Sequence, residues 1–205
     1  MNGGTEVALK EDGLPLAFLE LDDALRPTAY DSIHELHGLG LSVGILSGDN
    51  RSAVFHLTRD LGIESKMKFP ALSPERKAAV LKEFPRSLMV GDGANDALAL
   101  ATASVGMAMH GGMEVSMRAA GIYGASANLT QIPKLIVIAR ETMRIIRRNL
   151  IFTVLYNVLV VSIAISGSLK PIVAAVLMPL SSFTVFCISI AGTRPMRRAL
   201  AGMSD

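Results

Sequence analysis

The sequence predicts an α/β fold, a Rossmann-like parallel sheet dressed with helices, followed by an all-α transmembrane hairpin. Three observations carry this reading. Across roughly the first half of the chain, short apolar runs alternate with helix-like segments, which is the pattern of a mainly parallel sheet. Two of those runs lead into loops with an aspartate beside glycine, Ser47-Gly48-Asp49 and the glycine-flanked Asp92 of Gly91-Asp92-Gly93-Ala94-Asn95-Asp96. Ligands of open α/β sheets sit just beyond the carboxyl ends of the strands. Third, two charge-free apolar stretches, 150–166 and 172–191, lie between clusters of arginine.

The elements follow in order. Residues 5–10 and 14–21, split by Glu11-Asp12-Gly13, read as a strand pair with a tight turn. Asp22-Asp23 and Pro27 open a helix to about Leu39, with Ile33, Leu36 and Leu39 along one side. Residues 41–46 are a buried-type strand that delivers Ser47 at its tip. A helix from Arg51 to about Leu61 is closed by Gly62, and a weak strand covers 66–69. Ser73-Pro74 opens a helix carrying Lys77. A strand over 87–90, the Asp92 loop, a helix from Asn95 to about Thr102 and a strand over 105–109 complete the alternation; 112–131 continue the domain less clearly. Pro133 to Arg148 is a basic helix that runs without a breaker into the first apolar stretch. A turn at 167–171 precedes the second. The divisions expected are 1–131 for the α/β domain, 132–149 for a basic stalk, 150–192 for two membrane helices and 193–205 for a tail.

Composition narrows the function. Half of the 205 residues are hydrophobic and mean hydropathy is +0.42, an excess concentrated beyond residue 150. A bilayer core of ~30 Å needs about 20 helical residues, and both stretches approach that length. Arginines flank the outer ends of the pair while the turn holds only Lys170, so the positive-inside rule puts 1–149 and the tail in the cytoplasm. A net charge of +2, no tryptophan and few aromatics argue against nucleic acid as a partner. The single cysteine, Cys187, excludes an internal disulfide and reads as a small packing residue. His34 and His37, beside Asp31 and Glu35, read as a solvated helix face, and Met107, Met109, Met113 and Met117 as apolar packing.

Chemistry gathers on three loops. Asp92 and Asp96, on a turn whose glycines let backbone come close, suit a hard cation such as Mg²⁺, which usually serves substrate phosphates. Ser47 offers a hydroxyl and nearby amides to a phosphoryl oxygen, and Lys77 a compact positive charge for the same group. Phosphoryl transfer asks little more of a protein than positioning and charge neutralisation.

Ser-Gly-Asp at 47–49, Pro-Glu-Arg-Lys at 74–77 and Gly-Asp-Gly-Ala-Asn-Asp at 91–96 resemble the later motifs of the P-type ATPase phosphorylation domain, in the haloacid dehalogenase superfamily. Asp22 through Pro27 fits the Asp-x-x-Arg-Pro segment of that family. The resemblance implies that Asp92 ligates Mg²⁺ with Asp96 in support, that Lys77 and Ser47 hold the phosphoryl group, and that Asp49 lies near the nucleotide or the hinge beside the phosphate. Gly48, Gly91, Gly93 and Asn95 would line the ATP and phosphate site. Leu98 departs from the family, which usually has proline there. The sequence contains no Asp-Lys-Thr-Gly-Thr, Thr-Gly-Glu or Cys-Pro-Cys. In the family the strand bearing the phosphate-accepting aspartate lies between those ending here at Ser47 and Asp92. The resemblance therefore implies an incomplete haloacid dehalogenase domain, a gap in its sheet, and the carboxyl-terminal part of a pump. Its partners would be membrane lipid, the front half of the pump (actuator, nucleotide-binding domain and remaining membrane helices) and a copper chaperone.

The membrane stretches bear on the cargo. Uncompensated polar groups in a bilayer are costly, and methionine sulfur suits Cu⁺. Tyr156-Asn157 followed by Met178-x-x-x-Ser182 resembles copper-transporting relatives, making Tyr156, Asn157, Met178 and Ser182 candidate Cu⁺ ligands in a cell-membrane pump. Zinc and cadmium relatives typically carry a lysine and an aspartate there, and neither stretch has a charge. A zinc/cadmium-type fragment, a soluble phosphatase of the same superfamily and a non-catalytic membrane subunit are the alternatives.

Overall fold

The computed structural model describes residues 5–12, 14–21, 25–59, 61–167 and 170–201. They fall into two compact units, Met1–Pro133 and Lys134–Asp205. The break lies at 133, two residues beyond the expected end of the α/β domain.

The first unit opens with an antiparallel hairpin, β1 (Thr5–Glu11) and β2 (Leu14–Leu21), as the sequence predicts. The expected helix start at Asp22-Asp23 lies outside the described residues. Helix α1 (Ala29–Gly38) begins two residues after Pro27, later than its composition suggests. Residues 26–29 are a turn instead, with the Ala29 N–H donating to the Arg26 carbonyl at 2.9 Å. A residue before proline is disfavoured in the α region, which keeps Arg26 out of the helix.

The expected six-residue strand over 41–46 is reduced to β3 (Ile45–Leu46). A ladder needs a partner, and β4 (Lys68–Phe69), running parallel, supplies one for only two residues. Helix α2 (Arg51–Thr58) starts on an Asn50 cap, whose side chain accepts the Ala53 N–H, and stops three residues short of Leu61. At its end the Thr58 hydroxyl back-bonds to the Val54 carbonyl and the Leu61 N–H turns back to the Thr58 carbonyl. The weak strand over 66–69 is one turn of 3₁₀ helix, Ser65–Met67, followed by β4. Helix α3 (Pro74–Lys82) has Ser73 as cap and proline in its first turn.

Strand β5 (Leu88–Gly91) delivers the aspartate loop. The helix expected from Asn95 is a 3₁₀ turn over Ala94–Asp96 that leads into α4 (Ala97–Thr102). Strand β6 (Val105–Ala108) pairs parallel to β5. The less clear segment resolves into α5 (Glu114–Ala119) and β7 (Ile122–Tyr123), the latter parallel to β6.

Among the described residues the parallel sheet is therefore in two pieces, β3-β4 and β5-β6-β7, with no ladder joining them. Leu46 of β3 nonetheless packs against the core cluster of Leu81, Met89, Ala99 and Leu100. A second cluster, Ala29, Leu61 and Ile63, lies under α1 with Ile33, Val43, Ile45, Met67 and Leu129 against it. Of the methionine tract, Met107 and Met109 are buried as expected, but Met113 and Met117 are exposed because α5 turns that side outward. His34 and His37 lie on an exposed helix face as expected, His34 stacked on Tyr30.

The second unit is helical. The expected stalk and first apolar stretch are one uninterrupted helix, α6 (Gln131–Ile165), which begins at the end of the first unit. Helix α7 (Pro171–Ala201) follows. Residues 131–165 and 175–193 are long and apolar enough to cross a membrane, and none of their most apolar windows is buried in the chain itself. At ~1.5 Å per residue α6 spans about 50 Å, more than a ~30 Å bilayer core needs. The helices meet through Asn149 Nδ2 donating to Ser189 Oγ at 2.7 Å, Arg148 to the Ile188 carbonyl at 3.2 Å and Tyr156 Oη to the Leu177 carbonyl at 2.6 Å. Cys187 is exposed on α7, contrary to its expected packing role.

Candidate active site

The loop after β5 is built by close backbone approach. A Cβ on Gly91 would stand 2.8 Å from Asp96 Oδ2, and one on Gly112 2.9 Å from the Met109 carbonyl and 3.1 Å from that of Asp92, so both positions exclude a side chain unless their neighbours shift. Three carbonyls of the loop are tied down: Gly91 by the Met109 N–H (3.0 Å), Asp92 by the Met113 N–H (3.0 Å), and Gly93 by both the Asp96 N–H and the hydroxyl of fully buried Ser116.

Its two carboxylates are held differently. Asp96 Oδ1 accepts from Lys77 Nζ at 2.7 Å, with side chains only 15% and 11% exposed. Asp92 Oδ2 lies 3.3 Å from Arg26 Nη2 and is 56% exposed. Lys77, Asp92 and Asp96 are thus brought to one loop, with Gly91, Gly93 and Asn95 between them. Ser47 and Asp49 are on the other piece of sheet. There the Ser47 hydroxyl donates to Asp49 Oδ2 at 2.6 Å and accepts the Asp49 N–H at 3.1 Å, a local turn that shapes the loop at Gly48. Lys77, expected to hold a phosphoryl group, pairs with Asp96 here.

The donor set fits a hard cation. Mg²⁺ is bound by one or two carboxylates and completes its shell with water and substrate phosphate. Among the described residues no group of three or more His, Cys, Asp or Glu converges.

Sequence reasoning missed two residues of this loop. Ser116 clamps Gly93 from α5, an element the alternation did not resolve. Arg26 lay inside a recognised segment, but its partner is 66 positions away.

The chain, with parallel strands whose carboxyl ends present this aspartate loop beside a helix lysine, belongs to the haloacid dehalogenase-like hydrolases, whose family pattern matches residues 2–104. Within that family its relatives are heavy-metal P-type ATPases. It is 39% identical over 185 residues to the nitrogen fixation protein FixI of Rhizobium leguminosarum bv. viciae, covering 88% of this chain and 24% of FixI. It is 39% identical over 167 residues to the copper-exporting P-type ATPase of Staphylococcus aureus (strain bovine RF122 / ET3-1), covering 80% and 21%. The crystal structure of a zinc-transporting PIB-type ATPase in the E2.Pi state superposes with a TM-score of 0.79 at 28% identity, covering 94% of this chain and 31% of that one. The chain spans about a quarter of the length of the curated relatives it matches.

Proposed function

We propose that this chain supplies the Mg²⁺- and phosphate-handling loop and the last two membrane helices of an ATP-driven heavy-metal P-type pump, with Cu⁺ as cargo. The observation that carries this is the loop of Asp92 and Asp96 at a strand end with Lys77 of α3 bonded to it, in a chain that also holds two helices of membrane-span type. Asp92 and Asp96 would hold Mg²⁺, which when bound neutralises phosphate charge. Buried Lys77 holds the Asp96 side chain in place, and its ammonium faces the same loop where a phosphoryl oxygen would arrive. Ser47, Gly48 and Asp49 form the opposing phosphate-side turn. The phosphate-accepting aspartate would come from the front half of the pump, along with the actuator and nucleotide-binding domains. Residues 1–149 and the tail would lie in the cytoplasm.

Copper is favoured by the charge-free stretches 150–166 and 172–191. Tyr156 reaches the backbone of Leu177, the neighbour of Met178, so these two candidate positions share one level of the helix pair. Asn157 and Ser182 are exposed and open to other helices. Zinc is the second reading, favoured by the structural similarity to a zinc-transporting pump.

The test is co-expression with a front half bearing the acceptor aspartate, scored by phosphoenzyme formation from ATP with Cu⁺ or Zn²⁺. Cu⁺-dependent phosphoenzyme is expected, with Asp92→Ala reducing it at least a hundredfold, on the scale of losing one preorganised electrostatic group. Zn²⁺ dependence would replace the cargo; full phosphorylation in Asp92→Ala would overturn the site.

A further inference from the structure

Arg26 joins two parts of the α/β unit that are remote in sequence. Its Nη1 donates to the Ala127 carbonyl at 2.9 Å while Nη2 faces Asp92 Oδ2 at 3.3 Å. Two residues on, the Thr28 hydroxyl accepts the Leu129 N–H at 3.3 Å, and Leu129 packs against Ala29, Leu61 and Ile63. The Leu129 carbonyl in turn accepts the Ile132 N–H at 3.0 Å, and Gln131 Nε2 donates to the Ser126 carbonyl at 2.7 Å, both at the start of α6. One planar, rigid fork thus ties the aspartate loop to the turn from which α6 begins.

We infer that Arg26 is a positioning residue that a divalent cation at Asp92 must displace, so that loading the loop releases the 126–130 turn at the base of α6. This rests on the reading of Asp92 as a metal ligand. A cation of charge two, held ~2.0–2.1 Å from carboxylate oxygen, takes the lone pairs the guanidinium now uses and repels it. The exchange is cheap because the arginine is 42% and the aspartate 56% exposed, and pairs so exposed are weak. Asp96 has no such freedom, since its lysine partner is buried with it. The loop therefore carries one fixed carboxylate and one exchangeable one, and the exchangeable one is wired to the helix.

The experiment uses the full chain in detergent, titrated with Mn²⁺ as a paramagnetic stand-in for Mg²⁺ and followed by electron paramagnetic resonance. Hydrogen exchange of the 126–130 amides is read with and without saturating Mn²⁺. The native chain is expected to exchange faster there when loaded. Arg26→Ala should bind Mn²⁺ about two- to fivefold tighter, matching the worth of an exposed ion pair, and exchange fast in both conditions. Arg26→Lys, charged but without the fork, should lose the metal dependence of exchange even if the alanine variant fails to fold. Unchanged Mn²⁺ affinity in Arg26→Ala, native exchange insensitive to Mn²⁺, or native-like metal dependence in Arg26→Lys overturns the inference. Asp92→Asn separates the two readings: if it abolishes binding while Arg26→Ala is silent, only the role of Arg26 fails. Native-strength binding in Asp92→Asn, or no millimolar Mn²⁺ binding in the native chain, sinks the metal site and this inference together.

Discussion

In the α/β unit, the polar side chains that build the loop after β5 find partners remote in sequence, beside local bonds such as those of Ser47 and Thr58; in the helical pair, several hydroxyls are satisfied one turn back along the chain. Lys77 finds Asp96, Ser116 finds the Gly93 carbonyl, and Arg26 and Thr28 bind groups 101 positions away. On α6 and α7, by contrast, the hydroxyls of Thr142, Ser162, Thr184 and Thr193, and that of Ser166 just past α6, each donate to a carbonyl three or four residues before. A membrane-spanning helix must meet its hydrogen-bond needs internally because lipid offers none. The α/β unit instead uses the polar groups of Arg26, Lys77 and Ser116 to fix one tertiary arrangement. The α/β unit should therefore respond steeply to loss of single polar partners, whereas the helices should stay helical and lose only their register with each other.

The largest expected effect breaks this comparison at its strongest point. Lys77→Met leaves Asp96 as a nearly buried, unpaired carboxylate, and removing one partner of such a pair costs about 3–5 kcal/mol. Urea unfolding of the α/β unit, followed by a probe within it, should shift accordingly. Replacing both residues with apolar ones of similar size should recover most of that loss. A single variant as stable as the native chain would mean that Lys77 and Asp96 do not depend on each other.

A smaller effect sharpens the other side. Tyr156→Phe removes the hydroxyl that bonds the Leu177 carbonyl, and a hydrogen bond of this kind contributes about 0.5–1.5 kcal/mol net. Circular dichroism in detergent should show unchanged helix content, while crosslinking between cysteines placed at neighbouring levels of α6 and α7 should fall. Asn149→Ala should act in the same direction through Ser189. Lost helix content in either variant would contradict the view that each helix stands by itself.

The same contrast explains what the sequence disclosed. Short-range features were legible: the hairpin, the helix opened by Ser73 and Pro74, the alternation through β6, and the charge-free stretches whose apolar length is its own signal. The Gly91 to Asp96 loop was legible as well, because its glycines and aspartates are adjacent in the chain. Lost were features decided by distant partners. The strand at 41–46 has strand-like composition, yet only Ile45 and Leu46 have a neighbour to pair with. The helix after Asn50 ends at Thr58 through the turn that carries Leu61 into the core, not through Gly62. Arg26 and Ser116 entered the site only when folding carried them there. Lys77 was recognised, but its bond to Asp96 follows from the packing of α3 against the loop and had no signature in spacing.

The smallest expected effect lies at the start of α3, where a local bond does in the α/β unit what local bonds do in the helices. Ser73 Oγ donates to Glu75 Oε2 at 2.7 Å and accepts the Arg76 N–H at 3.3 Å. The hydroxyl, followed by Glu75's own backbone N–H, holds the Glu75 carboxyl below its usual 4.5. A folded value below the unfolded one means that the ionised form favours the folded state. The contribution is complete above pH 4.5 and fades as pH falls through the lowered folded value. Glu75→Gln should therefore lower the urea midpoint slightly at neutral pH, and the gap from the native chain should close on acidification below 4.5. Because Glu75 is fully exposed, that gap should also shrink in high salt as charge interactions are screened. A gap that persisted unchanged into acid would assign the effect of the substitution to helix packing, and would remove α3 capping from the electrostatic features that keep Lys77 in place.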